Sequence, residues 1–209
     1  MKKLLTVVLA FLVLAVFTSP SGAQDQPERR MFPTPSPIDG PGRLVLPCCK
    51  CVGDTVTLPL STGADPWTVS PGSGPATTTL SAWASTGASW IQPVASGTAD
   101  PNVPAGPFTY LAKFVIPDNC TIPYDTNTFK LSGTWAADNG GTLILDSGPS
   151  SLCPGNVCFK TPVNFVFGPP ISPLGGHVLK ATVTNLPSSY SGLSVNATLT
   201  GKCTTKIQK

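Results

Sequence analysis

Apolar and polar side chains alternate with a period of two along much of the chain from Thr55 to Thr200, the signature of strands that bury one face and wet the other. Val56, Leu58 and Leu60 alternate with Thr55, Thr57 and Pro59, and Trp67 with Val69 marks a short second strand. After a Gly/Ser/Pro loop at Ser70 to Pro75, Thr77 to Trp83 and Ser89 to Val94 read as strands flanking a small-residue turn. Phe108, Tyr110, Ala112, Phe114 and Ile116 share one face of a longer strand that Pro117 closes. Val163, Phe165 and Phe167 alternate in a strand ended by Gly168-Pro169-Pro170. The two cleanest strands come last, with Leu179, Ala181 and Val183 on one face and Leu193, Val195, Ala197 and Leu199 on another.

At the centre lies Thr128 to Ser147. Phe129, Leu131, Gly133 and Trp135 alternate with Lys130, Ser132 and Thr134, and Leu143 and Leu145 resume the pattern after Asp138-Asn139-Gly140-Gly141. Those four residues tolerate positive φ, so the stretch predicts a β-hairpin with Trp135 as a core anchor. Around nine strands at short spacing and no convincing helix predict an all-β chain folded as a two-sheet antiparallel sandwich. No internal repeat of fixed period is present.

The ends change this picture. Lys2 and Lys3, the apolar run from Thr6 to Phe17 and the small residues Ser21-Gly22-Ala23 have the layout of a secretory signal peptide, predicting removal of residues 1–23. The run is too short to span a bilayer, and neither a lipoprotein cysteine after the cut nor a second apolar run near Lys209 follows. The expectation is an exported chain without a membrane span after cleavage, secreted, at the cell surface or in the periplasm. Residues 24–42 are proline-rich and aperiodic and read as a disordered tether. Residues 43–209 form the sandwich domain.

Lys and Arg total 13 against 10 Asp and Glu, but two of the lysines lie in the leader, so the mature balance is near neutral. There is no basic stripe of the kind that nucleic acid requires. Pro (24) and Gly (20) are abundant and Glu28 is the sole glutamate, which favours strands joined by turns over helices.

A set of residues in fixed order carries a resemblance. Trp90-Ile91-x-Pro93, the aromatic strand with Phe108, Tyr110 and Phe114, Leu131-x-Gly133-x-Trp135-Ala136-Ala137-Asp138-Asn139, Leu179-x-x-x-Val183-x-Asn185 and Gly192-Leu193-x-Val195 follow one another. The order resembles an exported bacterial β-sandwich domain common in proteins with the PEP-CTERM sorting signal, which are associated with exopolysaccharide production. That domain is similar to galactose-binding-like jelly rolls. The match runs from roughly Trp83 to Gly201, and implies a jelly-roll-like sandwich in a cell-surface or matrix setting, with Trp90 and Trp135 as framework. Two departures stand out: the C-terminal sorting helix is missing, and Asp146-Ser147-Gly148 followed by a two-cysteine insertion replaces the usual Asn-Gly turn.

The candidate chemistry is sparse. The seven cysteines are Cys48, Cys49, Cys51, Cys120, Cys153, Cys158 and Cys203. In an exported chain they predict disulfides, with one thiol left over. Cys153 and Cys158 are brought together by the Pro154-Gly155 turn, and Cys203 is expected to pair with Cys48, Cys49 or Cys51. A four-thiolate zinc site is the weaker reading, because only one candidate knuckle is present; no metal ligand is assigned. No cofactor is expected, although structural calcium held by Asp138, Asn139 and Asp146 is an alternative to a plain turn.

Catalysis lacks a motif. His177, the sole histidine, opens a strand where a solvated or capping role is expected, no G-x-S-x-G elbow exists, and the domain's acids are turn aspartates. A non-enzyme is predicted, with a hydrolase built on Asp138 and His177 as the minor alternative.

Of the aromatic residues Trp67, Trp83, Trp90, Tyr124 and Tyr190, Trp83 and Tyr124 lie nearest to turns and are expected to be exposed. With Asp138 and Asn139 they form the candidate set for stacking on a sugar and fixing its hydroxyls. The expected function is a surface module binding polysaccharide of the envelope or matrix. The alternative is a structural or assembly protein joining a cell-surface partner through sheet edges and the odd cysteine.

Overall fold

The alternating stretches form strands that stack as two sheets with their apolar faces toward each other. The computed structural model describes residues 43–64, 67–155, 157–171 and 174–205, so the expected leader (1–23) and tether (24–42) lie outside the described residues. In chain order the strands are β1 (Arg43–Val45), β2 (Thr55–Ser61), β3 (Trp67–Ser70), β4 (Ala76–Thr78), β5 (Trp90–Gln92) and β6 (Gly106–Ile116). They continue with β7 (Tyr124–Asp138), β8 (Gly141–Leu145), β9 (Ser150–Cys153), β10 (Val163–Phe167), β11 (Gly175–Asn185) and β12 (Gly192–Cys203). One sheet has the order β1-β6-β11-β8-β9 with β3 also on β6; the other has β10-β7-β12-β5-β4 with β2 also on β12. Every pairing is antiparallel except that of β1 with β6. Among the described residues there is no helix, and the chain is an all-β two-sheet sandwich.

The core is the product of the alternation. Tyr110, Phe114, Ile116, Leu143, Leu179 and Val183 of the first sheet meet Leu60, Phe129, Leu131, Trp135, Leu193 and Leu199 of the second, all of them fully buried. Trp135 is the anchor that its register predicts, and its Nε1–H donates to Ser151 Oγ at 2.9 Å.

The expected hairpin is corrected. β7 pairs with β10 and β12 in one sheet, whereas β8 pairs with β11 and β9 in the other. Two strands facing each other across a core carry the same inward alternation as two strands paired in a hairpin, so the pattern alone does not separate them. The intervening residues do. Gly140 has φ 152°, a conformation that glycine adopts readily. Its carbonyl accepts from Thr184 N, and Asn139 Nδ2 donates to Asn185 Oδ1 and to the Tyr190 carbonyl. The segment is a corner that carries the chain from one sheet to the other.

Other departures are smaller. The strand expected over Thr77 to Trp83 stops at Thr78, and β9 forms in the insertion after Asp146-Ser147-Gly148, where the alternation predicts no strand. Three disulfides are formed: Cys153–Cys158 as expected, Cys49–Cys203 from among the three pairings left open, and Cys48–Cys120, which joins the segment before β2 to the β6–β7 connection. Cys51 is the free thiol. Three disulfides are compatible with an extracellular or periplasmic location.

Candidate functional site

The second sheet carries a small apolar cluster on its outer face, separate from the main core. Trp135 and Ala137 point inward, so the residue between them, Ala136, points outward and is fully buried beneath Trp83 and Trp90. Trp90 lies there for the same reason: in β5 its neighbour Ile91 enters the main core, which turns the indole to the opposite face. The two indoles stack with ring centroids 4.5 Å apart and planes at 26°. β12 lets them approach through Gly192, where a Cβ would stand 2.8 Å from Trp83 Cη2 and 3.1 Å from Trp90 Cε3. Leu80, Ala99, Phe159 and Tyr190 pack around the pair.

Residues 79–89, the connection between β4 and β5, hold Trp83 in place. Trp83 N donates to the Leu80 carbonyl, Ala84 N to the Phe159 carbonyl at 2.7 Å, and Trp90 Nε1 to the Ala84 carbonyl at 3.0 Å. Thr86 fastens the far end of the loop to the sheet: its hydroxyl lies 2.6 Å from Ser194 Oγ, and its carbonyl accepts from Thr134 Oγ1 and Asn196 Nδ2. On the other side Gln92 donates to the Ser96 and Thr98 carbonyls and accepts from Asp100 N, organising the loop that contains Gly97.

Asp138, the last residue of β7, completes the cluster. Its carboxylate is buried, and Trp83 Nε1–H donates to its Oδ2 at 2.8 Å. Burial pushes the carboxyl above its ordinary value, and the Trp83 hydrogen bond opposes that shift.

Between the β4–β5 connection and the Gly97 loop lies a cleft of about 470 Å³. Thr77, Thr79, Ser85 and Ser89 are exposed along it, and Trp83, Trp90 and Leu80 form apolar parts of its wall. Among the described residues no charged side chain lines it. Thr78 also lines it, and its buried hydroxyl has no partner among the described residues.

The residues singled out from the sequence are distributed as follows. Trp83 and Tyr124, expected exposed on one face, are 8% and 7% exposed and lie near opposite ends of the 15-residue β7, which places them roughly 40 Å apart along the strand. Nearness to a turn did not expose them, because residues distant in the chain cover both rings: Ala136, Asp138 and Gly192 pack on Trp83, and the Pro47 carbonyl meets the Tyr124 hydroxyl. Tyr124 packs edge-on against Phe129 at 5.3 Å and donates its hydroxyl to the Pro47 carbonyl, and burial pushes its pKa up to about 12. Asp138 joins Trp83, while Asn139 bonds Asn185 and Ser189 at the corner.

His177 is corrected as well. It is 3% exposed rather than solvated, stacks on Phe114 at 5.1 Å, and bonds Asp146 Oδ2 through Nδ1 at 2.9 Å. The other Asp146 oxygen accepts from Val178 N at 2.8 Å. Asp138, Asn139 and Asp146 therefore serve three separate sets of partners, and among the described residues no group of three or more His, Cys, Asp or Glu side chains is placed to hold a metal ion.

Sequence reasoning missed Trp90 as Trp83's partner and the hydroxyl-bearing connection as the cleft wall. The Thr77-Thr78-Thr79 run beside two tryptophans seven residues apart was the available signal. No protein-family model, no curated protein and no solved structure matches this chain.

Proposed function

We propose that the chain is a non-catalytic module of the cell surface or extracellular matrix that binds carbohydrate in the cleft of the β4–β5 connection. The observation that carries the reading is the meeting, in one open cleft of about 470 Å³, of exposed Thr and Ser hydroxyls with a narrow apolar wall formed by Leu80 and the small exposed parts of Trp83 and Trp90, which are 8% and 6% exposed. That volume falls within the range of about 300–1,000 Å³ typical of ligand sites. Sugars present the same two surfaces, an apolar face of C–H groups and a periphery of hydroxyls. The resemblance to exported sandwich domains of PEP-CTERM-sorted proteins supports the same setting, as do the disulfides.

The non-catalytic part of the reading is supported by the state of the groups that catalysis would recruit. His177 is buried between Phe114 and Asp146, and Asp138 lies under Trp83. The test is a pull-down of residues 24–209 on immobilised glycans and cell-wall fractions. Retention that soluble glycan competes away is the expected result, and passage through every matrix removes the reading.

A second reading, assembly through protein contacts, is favoured by the edge strands. Leu152 on β9 and Val166 on β10 are 64% and 61% exposed at the outer strands of their sheets, where unpaired backbone groups can accept a further strand. It predicts higher-order species in solution; a chain that stays monomeric at high concentration with Cys51 unlinked contradicts it.

A further inference from the structure

We infer that the β4–β5 cleft selects uncharged, hydroxyl-rich polysaccharide over acidic polysaccharide; the inference rests on the carbohydrate-binding reading above and deepens it to a substrate class. Both indole N–H groups at the cleft are already engaged inside the protein, Trp83 Nε1 with Asp138 Oδ2 and Trp90 Nε1 with the Ala84 carbonyl. The indoles, largely buried, therefore offer the ligand only a narrow strip of carbon surface and no donor. Polar recognition falls to the exposed hydroxyls of Thr77, Thr79, Ser85 and Ser89, which give and accept hydrogen bonds without carrying charge.

A carboxylate or sulfate brought into such a cleft loses water, and only a cation or several strong donors would compensate it. Neither is there. Among the described residues no Lys or Arg lines it, and the carboxyl beneath Trp83 has the wrong sign. Lys160 sits over the Phe159 ring, at 5.2 Å from its centroid, and does not line the cleft. A neutral chain meets no such cost, and its C–H faces match the indole carbon. Thr78 adds one more uncharged group to the wall, a buried hydroxyl with no partner among the described residues.

The experiment is affinity electrophoresis of residues 24–209 through gels holding a neutral polymer (β-glucan, mannan or galactan) or an acidic one (alginate or polygalacturonate), each at low and high salt. Gly97→Phe is the blocking variant, because position 97 lines the cleft, is exposed, and leaves a Cβ with nothing within 4 Å. Thr79→Trp, which starts from an exposed rim position, carries the same test should G97F fail to melt like the parent.

The expected result is retention by at least one neutral polymer, insensitive to salt, with no retention by the acidic ones, and a loss of about tenfold or more in apparent affinity in the blocked variant. Retention only by acidic polymer, abolished by salt, overturns the neutral assignment and leaves the carbohydrate reading standing. Retention by nothing overturns both. Neutral retention undiminished in both blocked variants overturns the assignment to this cleft.

Discussion

Replacing Trp83 by phenylalanine removes the donor that Asp138 Oδ2 receives among the described residues while keeping a ring in contact with Trp90. Asp138 is 5% exposed, so its Oδ2 loses a partner without gaining water. An orphaned buried acceptor costs about 1–3 kcal/mol. Contraction of the ring adds a cavity term above Gly192, and the sum stays below the roughly 3–5 kcal/mol of a full Trp→Ala truncation. At about 2–4 °C per kcal/mol for a chain of this size, the melting temperature falls by at least about 2 °C and by less than about 20 °C.

The pH dependence separates the two terms. Asp138 has a folded-state pKa raised above 3.8 by desolvation, so its contribution to stability is fully present below that value and is lost as pH rises through the folded pKa. Trp83 limits that loss by lowering the folded pKa. In Trp83→Phe the limit is gone, so the deficit relative to the parent is smallest in acid and grows toward neutral pH. Asp138→Asn keeps an acceptor for the indole and abolishes the titration, and in that background the Trp83→Phe deficit becomes pH-independent. Near-UV circular-dichroism melts of the four proteins across this range provide the assay. A deficit equal at acid and neutral pH in both backgrounds would refute the coupling.

Three further outcomes follow from the packing. Gly192→Ala forces a methyl to within 2.8 Å of Trp83 Cη2 and costs about 1–3 kcal/mol in denaturant unfolding, with Trp83 fluorescence shifted in the native state. Asp146→Ala strips acceptors from both Val178 N and His177 Nδ1 and destabilises by about 1–3 kcal/mol, whereas Asp146→Asn, which retains one acceptor and suits the φ of 53°, costs less. Peptide mapping without reductant yields the links 48–120, 49–203 and 153–158 with Cys51 alone alkylated, and the double variant Cys49→Ala/Cys203→Ala, which opens a closure of 154 residues, loses about 2–5 kcal/mol.

Much of the sandwich was legible because alternation reports which side chain faces inward, and that suffices for Phe108 to Ile116, Val163 to Phe167 and the last two strands. It does not report which sheet a strand joins. Leu143 and Leu145 face the core whether β8 pairs with β7 or lies opposite it, so the corner at Asp138 to Gly141 read as a hairpin turn. Very short strands such as β1 and β4 carry too few residues to show a period.

The candidate site was less legible. Trp83 lies in a loop, where sequence position suggests exposure; what buries it is the outward-facing Ala136, the missing side chain at Gly192 and the carboxyl of Asp138, all from strands distant in the chain. His177 misled for the related reason that its partner Asp146 arrives from a different strand connection and allows a polar ring to occupy an inward register position.

The central claim is that the Trp83–Trp90 cleft is where this protein meets a neutral glycan. It is tested most directly by titrating ¹⁵N-labelled protein with soluble fragments of whichever neutral polymer retains it and following the four tryptophan indole resonances, assigned through Trp83→Phe. Displacement of the Trp83 and Trp90 signals with Trp67 and Trp135 unmoved is the predicted result. Saturable binding that leaves the Trp83 and Trp90 indoles in place would contradict it.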